Sequence, residues 1–390
     1  MIDYLVVGGG PAGLMAADCV SAAGYKTVII DQMPSLGRKF LMAGKSGLNL
    51  TKDEPLDLFL TRYPNIPAPL MAAITRFGPD AVQDFAKSLD QDIFTGSSGR
   101  VFPVIMKASP MLRVWLAKLS AQGVETRTRT KWLGCDGDLH RLETPSGEVT
   151  IQARTAIFAM GGGSWARLGS DGEWQEKLRA LGIVTTPFKP SNSAVRVAWS
   201  PFMGKSLGKP LKAVTFSSGG VELSGEALIT KDGLEGTAIY NATPALRQGA
   251  RLLVDLLPQK TDKQIVDALE ALPHKMSVAN KLRRIGLKDE AQAVLRDCLK
   301  PLPSDWALAR ALKKLEIPIA QLAPIDEAIS TIGGVQFENI DHTFMLKDHP
   351  GWFVAGEMAD WDAPTGGYLL TACFATGRSA GEGAINYLQS

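Results

Sequence analysis

Gly8-Gly9-Gly10-Pro11-Ala12-Gly13 spells G-x-G-x-x-G, directly after the apolar run Ile2–Val7 and directly before an alanine-rich stretch of helical pattern over 12–23. Each glycine has a physical use at that spacing: Gly8 for a tight turn, Gly10 for close approach to a pyrophosphate, and Gly13 for packing helix against sheet. The helix start adds free N–H groups and about half a positive charge, a setting for phosphate. Residues 26–30 read as a second strand ending in Asp31, 18 residues beyond Gly13, with Gln32 next. A carboxylate there accepts hydrogen bonds from a ribose diol and disfavours a 2′-phosphate, so the expected ligand is FAD or NAD rather than NADP. The pair Pro11-Ala12 favours FAD.

Three further segments carry residues suited to the same ligand. Residues 37–51 read as a glycine-rich basic loop in which Arg38, Lys39, Gly44, Lys45 and Asn49 meet phosphates and the flavin edge. An apolar strand over 155–160 turns at Ala159, Gly161 and Gly162. Gly161-x-Gly163-x-x-Ala166 also fits the dinucleotide spacing, yet no acidic or basic ribose reader follows it, so it reads as a turn of the same FAD domain. Near the C-terminus a strand runs into Gly356 and Glu357, and then Gly366-Gly367-Tyr368-Leu369 opens a helix. The carboxylate is placed to reach ribityl hydroxyls, and the helix N-terminus to stabilise negative charge on a flavin pyrimidine. Tyr368, Asp362, Asp360 and Lys45 neighbour these contacts and are the candidates for a proton-donating or orienting group. Gly44-Lys45-Ser46 lacks the upstream glycine of a P-loop, and Gly204-x-Ser206-x-Gly208 is flanked by Pro201 and Pro210 rather than by a strand and a helix.

The elements that must position these residues predict an α/β fold. Residues 1–187 and 342–390 form a Rossmann-like FAD domain, and 188–341 form an inserted substrate domain, mainly β over 188–240 and mainly helical over 241–320. Within the first part, 55–89 reads as a helical stretch, 109–122 as a helix and 124–132 as a strand. Small residues at Ala372, Ala375, Gly377, Ala380 and Gly381 mark a tightly packed helix face. With 390 residues, 45% of them hydrophobic, the chain holds enough apolar material for more than one core. Four scattered cysteines without C-x-x-C exclude zinc ribbons and dithiol relays and fit a reducing, cytoplasmic setting; four histidines lack metal-ligand spacing, so no metal is expected. No apolar run is long enough to span a bilayer, and no membrane partner is expected. Net charge is only +2, but the stretch 274–314 alone sums to +6, with Trp306 as its one aromatic residue. A solvated helix face is the commoner source of such a run, and a phosphate-tracking RNA surface the alternative.

Taken in order, 8–13, 37–51, 98–103, 159–165, 331–335 and 355–368 resemble the bacterial aminoacetone-oxidase-like flavoproteins, the BaiN/YhiN-like group. The resemblance implies a two-dinucleotide-binding-type FAD fold with a β-barrel-like and a helical insertion. It also implies reduction of a C=C bond, in steroid-type substrates or in a uridine of ribosomal RNA. The chain departs from the family loop S-G-G-G-R-C-N-L-T-N at two places: Gly47 stands for the arginine and Leu48 for the cysteine, so a thiol proton donor is missing, while Asn49 and Thr51 are retained. The function expected is therefore an oxidoreductase with non-covalent FAD, passing hydride from flavin N5 to a small-molecule or RNA substrate, with NAD(P)H as a transient donor. An amine oxidase or dehydrogenase, and a flavin-binding protein without turnover, are the alternatives. Oligomeric state is left open.

Overall fold

The computed structural model describes every residue except Ser46 and the side chain of Asp305. Ile2–Val7 is apolar except for Asp3 and almost wholly buried, the pattern of a strand covered on both faces. It pairs in parallel with Thr27–Asp31 on one edge and with the end of Gly147–Phe158 on the other. Glu125–Thr128 extends the sheet beyond Thr27–Asp31. Gly147–Phe158 changes partners midway. Its first half is solvent-facing and pairs antiparallel with Leu139–Thr144, which pairs with Lys131–Asp136; its second half is buried and runs parallel to Ile2–Val7 and to Trp352–Val354. Among the described residues these make a seven-stranded sheet. The α/β expectation holds, and the chain returns to its first sheet at the C-terminus.

By internal contacts the chain divides into Met1–Lys189 with Ser330–Ser390, and Pro190–Ile329. The return to the first unit thus comes at Ser330, where the sequence places it at 342. The second unit holds, among the described residues, a five-stranded and a four-stranded sheet, both antiparallel, and the helices Thr237–Arg247, Asp262–Glu270, Val278–Arg284, Asp289–Cys298 and Asp305–Lys313. Its core is separate, built around residues such as Phe216, Ile229, Val254, Leu282 and Leu312. Among the described residues, no helix is long and apolar enough to cross a membrane.

Two local segments differ from expectation. The 37–51 segment is not a loop throughout: Arg38–Ala43 is helical, because Gly37 enters in the left-handed region (φ 68°) and good helix formers follow, with Phe40 buried. The helical reading of 55–89 holds, as three helices, Leu56–Leu60, Ala68–Arg76 and Pro79–Ser88, the last two opened by Pro67 and Pro79. Leu252–Asp255, inside the region read as helical, is a strand paired with Thr215–Ser218.

The helices Pro11–Ala22 and Tyr368–Gln389 pack through their small residues. A β-carbon on Gly377 would stand 2.3 Å from the carbonyl oxygen of Ala12, and one on Gly381 would stand 2.8 Å from the β-carbon of Cys19. The Tyr4 hydroxyl donates to the carbonyl of Ala384 (3.0 Å), tying the first strand to the last helix. Gly377→Val must therefore push the two helices apart. We expect a loss of about 1–3 kcal/mol, read as a lower urea midpoint at unchanged slope. Gly204→Ala, whose β-carbon meets nothing within 4 Å, should leave the midpoint in place.

Candidate active site

A cleft of about 940 Å3, including its open mouth, lies in the first unit at the C-terminal ends of Ile2–Val7, Thr27–Asp31 and Gly147–Phe158. Of the residues expected to hold the ligand, Gly8, Gly10, Pro11, Ala12, Asp31, Gln32, Arg38, Lys39, Ala159, Gly161, Gly356 and Glu357 line it. The three fingerprint glycines do different work there. Gly8 (φ 105°) turns the chain over the neighbouring strand end, where a β-carbon would stand 2.3 Å from the Ala159 carbonyl oxygen. Gly13 lies against the turn itself, its β-carbon position 1.9 Å from the Gly8 carbonyl oxygen. At Gly10 a β-carbon would meet nothing within 4 Å, although the residue lines the cleft. Two glycines are demanded by the protein; the third leaves room for something else. Gly10 caps the first helix and Pro11 follows at its first position, so the free N–H groups of that helix end lie at the cleft wall.

Asp31 braces this turn. One carboxylate oxygen accepts from the Gly9 N–H (2.9 Å) and the other from the Met33 N–H (2.8 Å). Burial raises its pKa above the usual carboxylate value, and the two N–H donors and Arg38 offset part of that. Each oxygen keeps a lone pair for a ribose hydroxyl. Gln32 points elsewhere, its amide donating to the Gly169 carbonyl (3.0 Å) and to Asp171 (2.9 Å).

Across the cleft, Lys39 donates to Ser164 (2.9 Å) and to Oε2 of Glu357 (2.7 Å). The Glu357 side chain is only 8% exposed, and its Oε1 is buried without a partner. An unmet acceptor of this kind costs about 1–3 kcal/mol, so the site asks for a donor such as a ligand hydroxyl. Arg38 reaches Ser35 with one guanidinium nitrogen (3.4 Å), while its Nε is buried and unpartnered.

The remaining sequence candidates lie off this lining. Gly162 packs against Thr331, and Gly367 (φ 100°) presses on the backbone of Thr51, where a β-carbon would stand at 2.5 Å. Gly366 and Leu369 flank that contact at the start of the C-terminal helix, which Thr371 secures through Thr51 (2.8 Å). Asn49 Oδ1 is buried and unpartnered. Tyr368 is buried beside Phe59 (ring centroids 4.6 Å apart), and its hydroxyl donates to Glu54 (2.5 Å). Burial and the Glu54 carboxylate push that phenol above its ordinary value, so it stays protonated and already engaged. Asp362 is buried and accepts from the Ala363 N–H (2.9 Å); Asp360 accepts from the Gly333 N–H (3.0 Å). Lys45 is exposed and lines a neighbouring groove with Gly44. Leu48, at the family's cysteine position, is a core residue.

Sequence reasoning missed the far wall, formed by Thr130, Lys131, Trp132, Ser170, Asp171 and Trp174. Trp174 donates to the Gly161 carbonyl (2.9 Å) and Ser170 to that of Gly162 (3.0 Å), fixing the turn over the cleft. After Gly163 the chain forms a single 3₁₀ turn, Ala166–Leu168, rather than a helix, in keeping with its rejection as a second nucleotide fingerprint.

The HI0933-like protein Rossmann domain matches residues 2–383. The chain belongs to that family. HI0933-like membership places it among FAD-dependent oxidoreductases, and the space at Gly10 and the orphaned Glu357 oxygen fit that cofactor. The chain is 26% identical over 411 residues to a 3-dehydro-bile acid delta(4,6)-reductase of Clostridium scindens, covering 97% of this chain and 98% of that one. It is 21% identical over 395 residues to a ribosomal RNA dihydrouridine synthase of Escherichia coli, covering 94% of each. In fold it is similar to a 3-ketosteroid delta1-dehydrogenase of Sterolibacterium denitrificans, with a TM-score of 0.55 at 11% identity and 99% of each chain covered.

Gly10→Val places a side chain where the protein itself has nothing to displace. We expect FAD content per polypeptide to fall at least about tenfold, with the circular dichroism and melting temperature of the apoprotein unchanged. A fully yellow variant would remove the pyrophosphate from this position.

Proposed function

We propose that this FAD-dependent oxidoreductase binds FAD non-covalently and reduces a carbon–carbon double bond of a small apolar ketone-bearing molecule, with NAD(P)H as the donor. The observation that carries the substrate class is the end-to-end similarity to a protein described as a bile-acid delta(4,6)-reductase, on a chain whose cleft fits FAD. Bound FAD supplies the hydride chemistry. The chain's own residues do the holding. The open backbone at Gly10 and the helix end at Pro11 receive the pyrophosphate, Asp31 the ribose, and Glu357 a hydroxyl of the ligand, its other oxygen held by Lys39. Cys373 is the one thiol on the cleft among the described residues, and burial keeps it protonated and a poor nucleophile, which supports the non-covalent mode. With Leu48 in the core and Tyr368 donating to Glu54, the proton delivered to substrate comes from Asp362, from Lys45 or from water.

An RNA substrate is the second reading, favoured by the second relative and by the basic stretch over 274–314. Lys275, Arg284, Lys288, Arg310 and Lys314 are exposed there. Arg283 pairs with Asp289 and Lys300 with Asp297, acids already counted in the +6, while Lys313 pairs with Asp255 outside the stretch and Glu290 with Lys209, so the excess stands. The higher identity to the reductase, 26% against 21%, ranks the small molecule first.

The test is anaerobic. Holoenzyme reduced by NAD(P)H and mixed with a 4-ene-3-ketosteroid should regain its oxidised flavin band as saturated ketone forms, and steady-state double-reciprocal plots should be parallel. Flavin reoxidised by a uridine-containing ribosomal RNA fragment and by no enone would favour the second reading. Bleaching of the oxidised flavin by a small amine, with neither enone nor RNA accepted, would overturn both.

A further inference from the structure

Beside the FAD cleft runs a second groove in the same unit, lined by Ser35, Arg38, Lys45, Lys107 and Ser109 around an apolar floor. It shares Ser35, Arg38 and Leu168 with the cleft, so a molecule seated in it lies alongside bound FAD. The floor is fixed where Arg38–Ala43 ends on the start of Ala108–Ala121. Gly44 packs so close to Ala108 that a β-carbon would stand 2.6 Å from that of Ala108.

The charge in this groove is uncompensated. Among the described residues no carboxylate lines it, and Arg38, Lys45 and Lys107 each lack a carboxylate within ion-pair distance, although Arg38 feels the field of Asp31. The fourteen-residue helix Ala108–Ala121 begins here with no side-chain cap and no acidic residue in its first turn, leaving its positive end unmatched. The Arg38 Nε is buried and has no hydrogen-bond partner. Three cations, a helix end and an unmet guanidinium N–H meeting at one groove are a receptor for a multiply charged anion.

Building on the donor reading above, we propose that this groove receives the 2′-phosphate of NADPH and makes the enzyme prefer NADPH to NADH. The chain has a single dinucleotide fingerprint, and FAD takes it. A second dinucleotide must then be held by side chains rather than by a glycine turn, and point charges from lysine with a guanidinium fork suit a phosphate monoester. Because the groove adjoins the FAD cleft, its anchor leaves the rest of the donor beside the flavin cofactor.

The probe is adenosine 2′,5′-bisphosphate, titrated calorimetrically into holoenzyme against adenosine 5′-monophosphate. We expect the bisphosphate to bind at least about tenfold tighter, and Lys107→Glu to abolish that difference with flavin content unchanged. Ser109→Asp, which adds a negative charge at the same helix end, should act in the same direction. In stopped flow, both variants should slow flavin reduction by subsaturating NADPH about tenfold and by NADH less than about twofold. Equal binding of the two probes, or loss of FAD from both variants, overturns the groove assignment while leaving NAD(P)H as donor intact. A short oligouridylate that competes for Lys107 where the bisphosphate does not bind also overturns it, in favour of an RNA contact. If neither nicotinamide reduces the flavin although dithionite does, the donor reading fails, and this proposal fails with it.

Discussion

A side chain on Gly13 would stand 1.9 Å from the Gly8 carbonyl oxygen, and one on Gly8 would stand 2.3 Å from that of Ala159. No rotamer relieves distances of that size, so the first helix can sit against the sheet only if both positions lack a β-carbon. Much else hangs on this contact. It brings the helix N-terminus to the strand ends, lets Ala12 face Gly356 and Gly377, and so sets where the C-terminal helix and the Gly356–Glu357 turn must lie. Close packing makes the floor of the cleft rigid, and Asp31 locks the lip by holding the Gly9 and Met33 N–H groups.

On that floor the polar groups are arranged for a ligand rather than for each other. Lys39 satisfies one oxygen of Glu357 and leaves the second unmet; Asp31 spends one lone pair per oxygen on backbone. Groups left in this state within a protein interior usually have a partner that binds. The same logic separates the cleft from the C-terminal helix start. There Tyr368, Glu54, Thr371 and Thr51 satisfy one another, and the result is a clamp that orients the helix end.

What could be read from the sequence was what is local in it. Strand, turn, helix, strand and acid fall within 31 residues, so their geometry follows from the order of residue types. The small-residue face of the last helix was legible for the same reason, since its spacing is periodic. Lys39 and Glu357 are 318 positions apart, and Tyr368 and Glu54 are 314, so neither pairing leaves a mark on local pattern. Glycines at 37 and 44 made a six-residue helix look like a loop. The tryptophan-lined wall, with Trp132 and Trp174, had no motif at all; each is an ordinary apolar residue until the fold brings it to the cleft.

We propose that this cleft is built for a flavin attached to adenosine diphosphate, not for a flavin alone. Titration of the deflavinated protein with FAD and with FMN, followed by quenching of flavin fluorescence, measures that directly. FMN is expected to bind at least about a hundredfold weaker, because Asp31 then has no ribose to hold, and Gly10 and the first helix end meet one phosphate in place of two. Equal affinity for the two flavins would contradict it.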